Sequence, residues 1–335
     1  MAHAPADRLY RHRPPRLPAH ALGVGLLLVL CGPGCVENVM IIGPSPREPS
    51  FVFAVIGDYG ASAFGEDSAA ASARVAALVH SWEPQHVFTL GDNNYPDGEQ
   101  ATIDLNIGQH YARYIGSYIG NHGRGSAENR FWPAVGNHDW GPGGLGPYLD
   151  YFVLPGNERY YTAKFGLVEL FVLDTYLPGV DNPQRESYPD DWAEQKSWLA
   201  SALDRSTACF KLVTGHASPY TTGHHSPAKN MRWDFSAWGA DVVMTGHNHG
   251  YERFNIDGVR YVVNGLGGTT IHPFGETIGF APITRYNANH GAIRGMVTDS
   301  TLTFEFHSVS DGVEDTLAIE KDCAPNNMAA ERPVR

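Results

Sequence analysis

Short apolar runs recur along the chain from Phe51 onward, and most of them end in glycine followed by a polar residue. These runs are rich in valine, leucine and phenylalanine and show little alternation, as strands buried on both faces do. We therefore predict five buried strands, which with their polar ends occupy residues 51–58, 86–92, 131–139, 210–216 and 241–249.

Helical and antiparallel patterns lie between and after these strands. Apolar residues recur at helical spacing over residues 68–82 and 191–206. Residues 295–309 and 315–320 alternate apolar and polar positions, which is typical of antiparallel strands. The order of elements predicts a mixed α/β sandwich with functional loops at the carboxyl ends of its strands.

The first 35 residues have the pattern of a secretory signal. A cationic stretch over residues 8–16 precedes an apolar run over residues 21–30, and small residues follow around Cys31 and Cys35. The apolar run is shorter than the roughly 20 residues that span a bilayer. Cys35 resembles the lipidated cysteine of a bacterial lipoprotein, so membrane attachment through Cys35 and simple cleavage remain alternatives. We expect an exported protein that is periplasmic, extracellular or lipid-anchored at the cell envelope.

The rest of the chain divides into three parts. Residues 36–50 contain three prolines and no periodicity, which predicts a linker. Residues 51–320 carry the predicted domain, and residues 321–335 form a C-terminal tail. Cys209 and Cys323 either pair in an oxidising compartment or remain separate thiols, and the sequence leaves both readings open.

Composition and charge narrow the class of protein. The chain has 335 residues, of which 42% are hydrophobic and 18% are charged, as in ordinary globular proteins. The formal net charge of -12 disfavours a nucleic acid as substrate or partner, because an acidic surface repels a polyphosphate backbone.

Residue types that bind metals follow the predicted strands. They are Asp58, Asp92, Asn137, His138, Asp139, His216, His247 and His249. A single Gly-Asp or Gly-His after a strand is more often a turn or a helix cap. Their joint occurrence at five strand ends favours a metal-binding crevice, and His247 and His249 would point the same way if they continued a strand.

The five strand ends carry motifs of a known family. They read Gly57-Asp58-Tyr59-Gly60, Gly91-Asp92-Asn93-Asn94-Tyr95, Gly136-Asn137-His138-Asp139, Val213-Thr214-Gly215-His216 and Gly246-His247-Asn248-His249. In this order the motifs resemble those of the calcineurin-like metallophosphoesterases, and Tyr95 narrows the resemblance to the purple acid phosphatases. The resemblance covers residues 51–268 and implies an α/β fold, the metallophosphoesterase-type α/β/β/α sandwich of two mixed sheets flanked by helices. It also implies a metal site at the strand carboxyl ends.

The resemblance implies two metal ions that share one carboxylate. The first would be held by Asp58, Asp92, Tyr95 and His249, and the second by Asp92, Asn137, His216 and His247. Two carboxylates and a phenolate form a hard anionic set that suits Fe(III), whereas imidazoles with a neutral amide suit Fe(II), Zn or Mn. Tyr95 is alternatively a packed aromatic residue, since tyrosine ordinarily ionises near pH 10.

Three further residues are candidates for catalysis. His138 is the predicted general acid, and Asp139 is predicted to orient it. His225 resembles a phosphate-contacting residue of the same branch, and His224 beside it is the alternative. A structural role for His138 and an exposed loop position for His225 are the competing interpretations.

The predicted activity is hydrolysis of small phosphate monoesters by attack of a metal-bound hydroxide. The main alternative is a phosphodiesterase or nucleotide hydrolase that uses the same site. A non-catalytic metal-binding module would be expected to lack a ligand, and no motif departs from the family pattern. A dinucleotide enzyme is disfavoured because no GxGxxG follows the first strand. The glycine-rich segment 265–270 lacks the lysine of a P-loop, so we interpret it as a loop near the metal site.

Overall fold

The computed structural model describes residues 49–141, 144–176, 192–276 and 279–323. The predicted signal segment, most of the predicted linker and the tail beyond residue 323 lie outside these residues. No helix in the described ranges combines the length and the apolar character that crossing a membrane requires.

One sheet has six strands in the order β13-β12-β11-β1-β2-β3. Its strands are β1 (Phe51–Ile56), β2 (His86–Thr89), β3 (Phe131–Trp132), β11 (Gly291–Val297), β12 (Thr301–Ser308) and β13 (Gly312–Glu320). The first three strands are parallel, and the last three pair antiparallel beside β1. The predicted antiparallel tail is therefore confirmed.

A second sheet has seven strands in the order β10-β8-β9-β7-β6-β5-β4. Its strands are β4 (Tyr161–Phe165), β5 (Val168–Val172), β6 (Phe210–Thr214), β7 (Val242–Thr245), β8 (Tyr251–Ile256), β9 (Val259–Asn264) and β10 (Thr284–Tyr286). The four strands β5, β6, β7 and β9 run parallel, and the strands at both edges are antiparallel to their neighbours.

Helices flank the two sheets. They are α1 (Glu66–Ser81), α2 (Gln109–Tyr111), α3 (Gly146–Tyr151) and α4 (Trp192–Arg205). Helix α1 packs against β11, and α4 packs against the second sheet. Both predicted helices are confirmed.

The second sheet is apolar on both faces, as the continuous apolar runs require. Strand pairing aligns Phe171, Val213 and Val243 on one face, where they pack with Leu199 and Leu203 of α4. Alternate residues of the same strands belong to the large core that also contains the first sheet. The side chains Leu170, Leu212 and Val242 on β5–β7 and Phe53 and Val55 on β1 are fully buried there. The result is the predicted α/β/β/α sandwich.

The third predicted strand is much shorter than its apolar run. Strand β3 ends at Trp132, because Pro133 has no N–H to donate to a neighbouring strand. The motif Asn137–Asp139 forms a single 3₁₀ turn instead of continuing the strand. Likewise β7 ends at Thr245, so His247 and His249 lie on a loop and the strand argument for their common direction was wrong.

The two cysteines outside the predicted signal segment form a disulfide. Cys209 and Cys323 have Cα atoms 5.5 Å apart and are separated by 114 residues. Nearby, Nζ of Lys321 donates to the carbonyl of Cys209 at 2.9 Å and pairs with the carboxylate of Asp241. The chain after β13 is thus attached to the start of β6, across the two sheets.

Candidate metal centre

Turns after four strands bring the metal-ligand candidates to one edge of the sandwich. Asp58 follows β1, Asp92 follows β2, His216 follows β6 and His247 follows β7. The amide of His247 donates to Oδ2 of Asp58 at 3.0 Å, although the two residues are 189 positions apart. The carboxyl ends of strands from both sheets therefore meet around one crevice.

Three of these residues have unusual backbone conformations. Asp58, Asp92 and His247 have φ angles of 54°, 53° and 67°. The left-handed region costs a non-glycine residue about 1–3 kcal/mol, and it persists where surrounding contacts impose it. The strain lies at the turns that aim the candidate ligands into the crevice.

The glycines of the motifs are required by close approach. A Cβ atom added at Gly136 would collide with the amide nitrogen and the carboxylate of Asp92. One added at Gly246 would collide with the carboxylate of Asp58. Glycine at these positions therefore lets the turn before Asn137 approach Asp92 and the turn before His247 approach Asp58.

The first group of donor atoms surrounds the phenol of Tyr95. Its oxygen lies 2.7 Å from Oδ2 of Asp92, 3.2 Å from Oδ1 of Asp58 and 3.4 Å from Nε2 of His249. Nε2 of His249 lies 3.4 Å from Oδ1 of Asp58. Donors that share a cation at bond lengths of about 2.1 Å lie roughly 3–3.5 Å apart, so this group has suitable spacing.

The second group surrounds Nε2 of His216. That atom lies 3.0 Å from Oδ1 of Asn137, 3.2 Å from Nδ1 of His247 and 3.3 Å from Oδ2 of Asp92. Oδ2 of Asp92 thus belongs to both groups. The seven residues predicted as ligands come together in two sets that meet at this one oxygen.

Hydrogen bonds behind the ligands fix which ring nitrogens face the crevice. Nδ1 of His216 lies 2.8 Å from the carbonyl of Leu90, and Nδ1 of His249 lies 2.6 Å from that of Thr270. A carbonyl only accepts, so both Nδ1 atoms carry a proton, and the Nε2 atoms are the ring nitrogens that face the other ligand atoms.

The carboxylate oxygens and imidazole nitrogens around the crevice favour a positive charge between them. Asp58 and Asp92 are at most 1% exposed, and no Lys or Arg among the described residues forms an ion pair with either. Burial opposes ionisation of Asp92, but the adjacent His216 outweighs it and holds the pKa of Asp92 far below its usual range. Burial disfavours the charged form of His216, but Asp92 raises the pKa of that imidazole to about 9. Two buried carboxylates and neighbouring imidazole nitrogens thus converge with no Lys or Arg of the described residues paired to them, and a metal cation fits this donor set.

Tyr95 is neutral without a cation. Burial, then Asp92 and Asp58, raise the pKa of Tyr95 well above its ordinary value. The phenol is therefore a donor to Asp92, and only a strongly charged cation would convert it to a phenolate ligand.

His138 lies beside both groups. Its amide donates to Oδ1 of Asp92 at 2.9 Å, and its Nδ1 donates to the carbonyl of Pro96 at 2.5 Å. Its ring centroid is 4.3 Å from that of Tyr95, and it lines the cavity of about 250 Å³ over the site. Because Nδ1 is engaged, Nε2 is the nitrogen that remains for a substrate.

Asp139 is placed differently from the prediction. Its carboxylate accepts from the amide of Gly136 at 2.8 Å and from the side chain of Asn93 at 2.8 Å. Since Nδ1 of His138 bonds to Pro96, Asp139 does not orient His138. It instead ties the turn that carries Asn137 to the turn that carries Asp92. Burial, and then the charge of Asp92, raise the pKa of Asp139 to about 7.

Asn248 and Glu252 hold the loop that carries His225 beside the site. Its amide donates to Oδ1 of Asn248 at 2.7 Å, and its ring stacks on His247 with centroids 4.2 Å apart. The fully buried carboxylate of Glu252 accepts from the hydroxyls of Thr221 and Thr222 and from the amide of Thr222. The ring of His224 packs on that of His272 with centroids 4.8 Å apart, and His224 does not line the cavity that His225 lines.

Sequence reasoning missed three residues around the site. His272 stacks on His249 with centroids 4.2 Å apart, and Phe64 lines the same cavity. Oγ1 of Thr175 accepts from the amides of His216 and Ala217 at 2.8 and 2.7 Å. None of these three residues lies in a motif. His272 alone had a sequence signal, because it lies just after the glycine-rich segment 265–270 that was interpreted as a loop near the metal site.

The chain matches known proteins over most of the described domain. Residues 51–251 match the sequence profile of the calcineurin-like phosphoesterases. Purple acid phosphatase 17 of Arabidopsis thaliana is 24% identical over 69% of this chain and 72% of its own length. Purple acid phosphatase 7 of the same plant is 22% identical over 82% of this chain and 88% of its own length.

Solved structures share the fold at low identity. Purple acid phosphatase PPD1 from yellow lupin (Lupinus luteus) seeds superposes with a TM-score of 0.61 at 19% identity, over 82% of this chain and 55% of that one. GAP50, the anchor in the inner membrane complex of Plasmodium, gives a TM-score of 0.62 at 15% identity, over 81% and 88%. The fold alone does not separate a phosphatase from an anchor, whereas the family profile covers all five motifs. The chain belongs to the calcineurin-like phosphoesterases, a family of metal-dependent phosphoric ester hydrolases, and within it is similar to the purple acid phosphatases.

Proposed function

We propose that this protein hydrolyses small phosphate monoesters at a dinuclear metal centre. The observation that carries the proposal is the pair of donor groups that meet at Oδ2 of Asp92. Because this oxygen belongs to both sets of ligand atoms, Asp92 would contribute to holding each of two cations.

The donor sets support two different cations. Asp58, Asp92, Tyr95 and His249 would hold Fe(III), because up to three anionic oxygens favour a hard trivalent ion. Asp92, Asn137, His216 and His247 would hold Fe(II), Zn or Mn, since this set has two imidazoles and a neutral amide.

The chain's own residues supply positioning and protons. When bound, two such cations acidify water and neutralise the charge of a phosphoryl group during in-line displacement. With both ring nitrogens protonated, His138 would give its Nε2 proton to the leaving oxygen of the ester and become neutral, while Nδ1–H stays on the carbonyl of Pro96 and keeps the ring fixed. His225 would donate a hydrogen bond to a phosphoryl oxygen, and its stacking on His247 supports this role.

We also propose where the protein works and on what. The predicted signal segment and the Cys209–Cys323 disulfide both support export to an oxidising compartment, with attachment through a lipidated Cys35 as one form. The net charge of -12 supports a small phosphorylated substrate and no nucleic-acid partner.

Metal analysis combined with a substrate panel tests the proposal. We expect about two metal ions per chain, and faster hydrolysis of para-nitrophenyl phosphate than of bis(para-nitrophenyl) phosphate. A preference for the bis ester would instead assign a phosphodiesterase. A metal-loaded protein that cleaves neither ester would refute the proposed activity.

A further inference from the structure

A half-exposed phenylalanine borders the metal centre without belonging to any motif. Phe64 is 51% exposed and lines the cavity of about 250 Å³ that also contains Tyr95 and His138. Other large exposed apolar side chains of the described residues, such as Ile119 and Val153, do not line this cavity. Phe64 therefore presents apolar surface where a substrate enters.

Hydrogen bonds hold the backbone turn that carries this ring. The amide of Ala63 donates to Oδ1 of Asn106 at 2.7 Å, and the amide of Phe64 donates to the carbonyl of Ala61 at 3.0 Å. Nδ2 of Asn106 also donates to the carbonyl of Tyr95 at 2.7 Å. One buried asparagine thus connects the turn of Phe64 to the turn of a candidate metal ligand, and the two rings lie 6.0 Å apart.

The other side chains around the cavity have different chemistry. Among the described lining residues, Phe64 is the one hydrocarbon side chain. The rest carry ligand or hydrogen-bonding groups, as Asp92, His138, His225 and Thr270 do. The cavity therefore separates into a polar part suited to a phosphoryl group and an apolar face beside it.

We propose that Phe64 is a specificity-determining residue on which the organic group of the substrate rests. The substrates it favours are phosphomonoesters with a flat aromatic organic group, which covers the exposed ring. Small aliphatic esters do not cover it. The inference rests on the proposed phosphatase activity and adds the chemical class of the ester.

Two esters with similar alkyl leaving oxygens test the proposal. The metal-loaded full chain is assayed with benzyl phosphate and ethyl phosphate, and inorganic phosphate is measured as a competitive inhibitor. We expect Phe64→Ala to lower kcat/KM for benzyl phosphate about tenfold, in line with the loss of an aromatic contact. The kcat/KM for ethyl phosphate and the inhibition constant of phosphate should stay within about twofold, because neither uses the ring.

Two further variants separate recognition from folding. Phe64→Leu keeps apolar bulk without a flat ring and should show an intermediate loss with benzyl phosphate alone. Val153→Ala removes an exposed apolar side chain away from the cavity and should change neither ester. Equal losses on both esters, or no loss on either, in Phe64→Ala and Phe64→Leu would overturn the role of Phe64 while leaving the phosphatase activity intact. If the unsubstituted protein cleaves para-nitrophenyl phosphate but neither of these two esters, this inference fails and the phosphatase proposal stands. If it cleaves none of the three, both fail.

Discussion

At the scale of single residues, Tyr95 decides the character of the first donor group. Its phenol is close to Asp92, Asp58 and His249, yet its pKa is raised by burial and then by the two carboxylates. The same geometry therefore allows two chemical states of Tyr95, a neutral phenol and a metal-bound phenolate.

We expect the iron-loaded protein to absorb visible light and Tyr95→Phe to lose that absorption. Phenolate bound to Fe(III) gives a charge-transfer band, and phenylalanine has no oxygen to bind. The spectrum is recorded together with iron content, so that loss of colour and loss of metal are separated. An iron-loaded protein that is colourless before substitution would leave Tyr95 as a packed aromatic residue.

His138 is the second residue whose role can be isolated. We expect His138→Ala to lower kcat by about 10²–10⁴-fold with metal content unchanged, because general acid catalysis contributes that much and its side chain is not in either donor group. Steady-state kinetics and metal analysis measure the two quantities.

A matched control for His138 is His122→Ala, which removes a surface imidazole 37% exposed. That variant should retain full turnover. Loss of metal from His138→Ala would instead make His138 a structural residue.

At the scale of elements, the strands with continuous apolar runs and the alternating strands near the end of the domain were predictable, whereas strands such as β4 and β8 were not. Strands β1, β2, β6 and β7 are buried on both faces, so their sequences show it directly. Strand β4 is an edge strand with mostly half-buried residues, and β8 contains Glu252, whose burial depends on the hydroxyls of a distant loop. Local pattern carries no signal for such contacts.

The pairing of β2 with β3 has a pH-dependent contact at its edge. Nε1 of Trp132 donates to Nδ1 of His86 at 3.0 Å, so the imidazole must be neutral. Burial, and then Arg130, lower the pKa of His86 from 6.5 to about 4. The unfolded chain thus binds this proton more readily than the folded one, and protonation favours unfolding.

We therefore expect the contribution of His86 to stability to be complete above about pH 6.5 and to be lost as the pH falls toward about 4. Thermal unfolding between pH 4 and pH 7 measures it. His86→Asn keeps an acceptor for the indole and cannot titrate, so its melting temperature should fall less steeply with acidification. His122→Asn is the matched control. Parallel pH profiles for His86→Asn and the unsubstituted protein would contradict the prediction.

At the scale of the whole molecule, the disulfide joins two segments that are far apart in sequence and lie next to strands of different sheets. Cys209 precedes β6 of one sheet and Cys323 follows β13 of the other, 114 residues later. Closing so long a loop restricts the unfolded chain more than the folded one.

We expect removal of the disulfide in the double variant Cys209→Ser, Cys323→Ser to lower the free energy of unfolding by about 2–5 kcal/mol. Urea unfolding of the oxidised protein, the reduced protein and the variant measures it. Adding a reductant should lower the urea midpoint of the unsubstituted protein and leave the urea midpoint of the double variant unchanged. An unchanged urea midpoint after reduction would show that the cross-link does not stabilise the fold.

The sequence by itself determined which residues are able to bind metal and which strands carry them. Buried parallel strands must be apolar, and polar residues follow at their carboxyl ends. Both features are local, so a single sequence shows them. The family motifs and the order of Asp58, Asp92, Asn137, His216 and His247 were likewise available from the sequence.

Only the tertiary structure decided how these residues act together. It placed Oδ2 of Asp92 in both donor groups, bonded Asp139 to Asn93 instead of orienting His138, and set Phe64 beside the cavity. These contacts join positions on different turns, held by packing between two sheets. Their geometry depends on distances across the fold, which no local pattern of residues encodes.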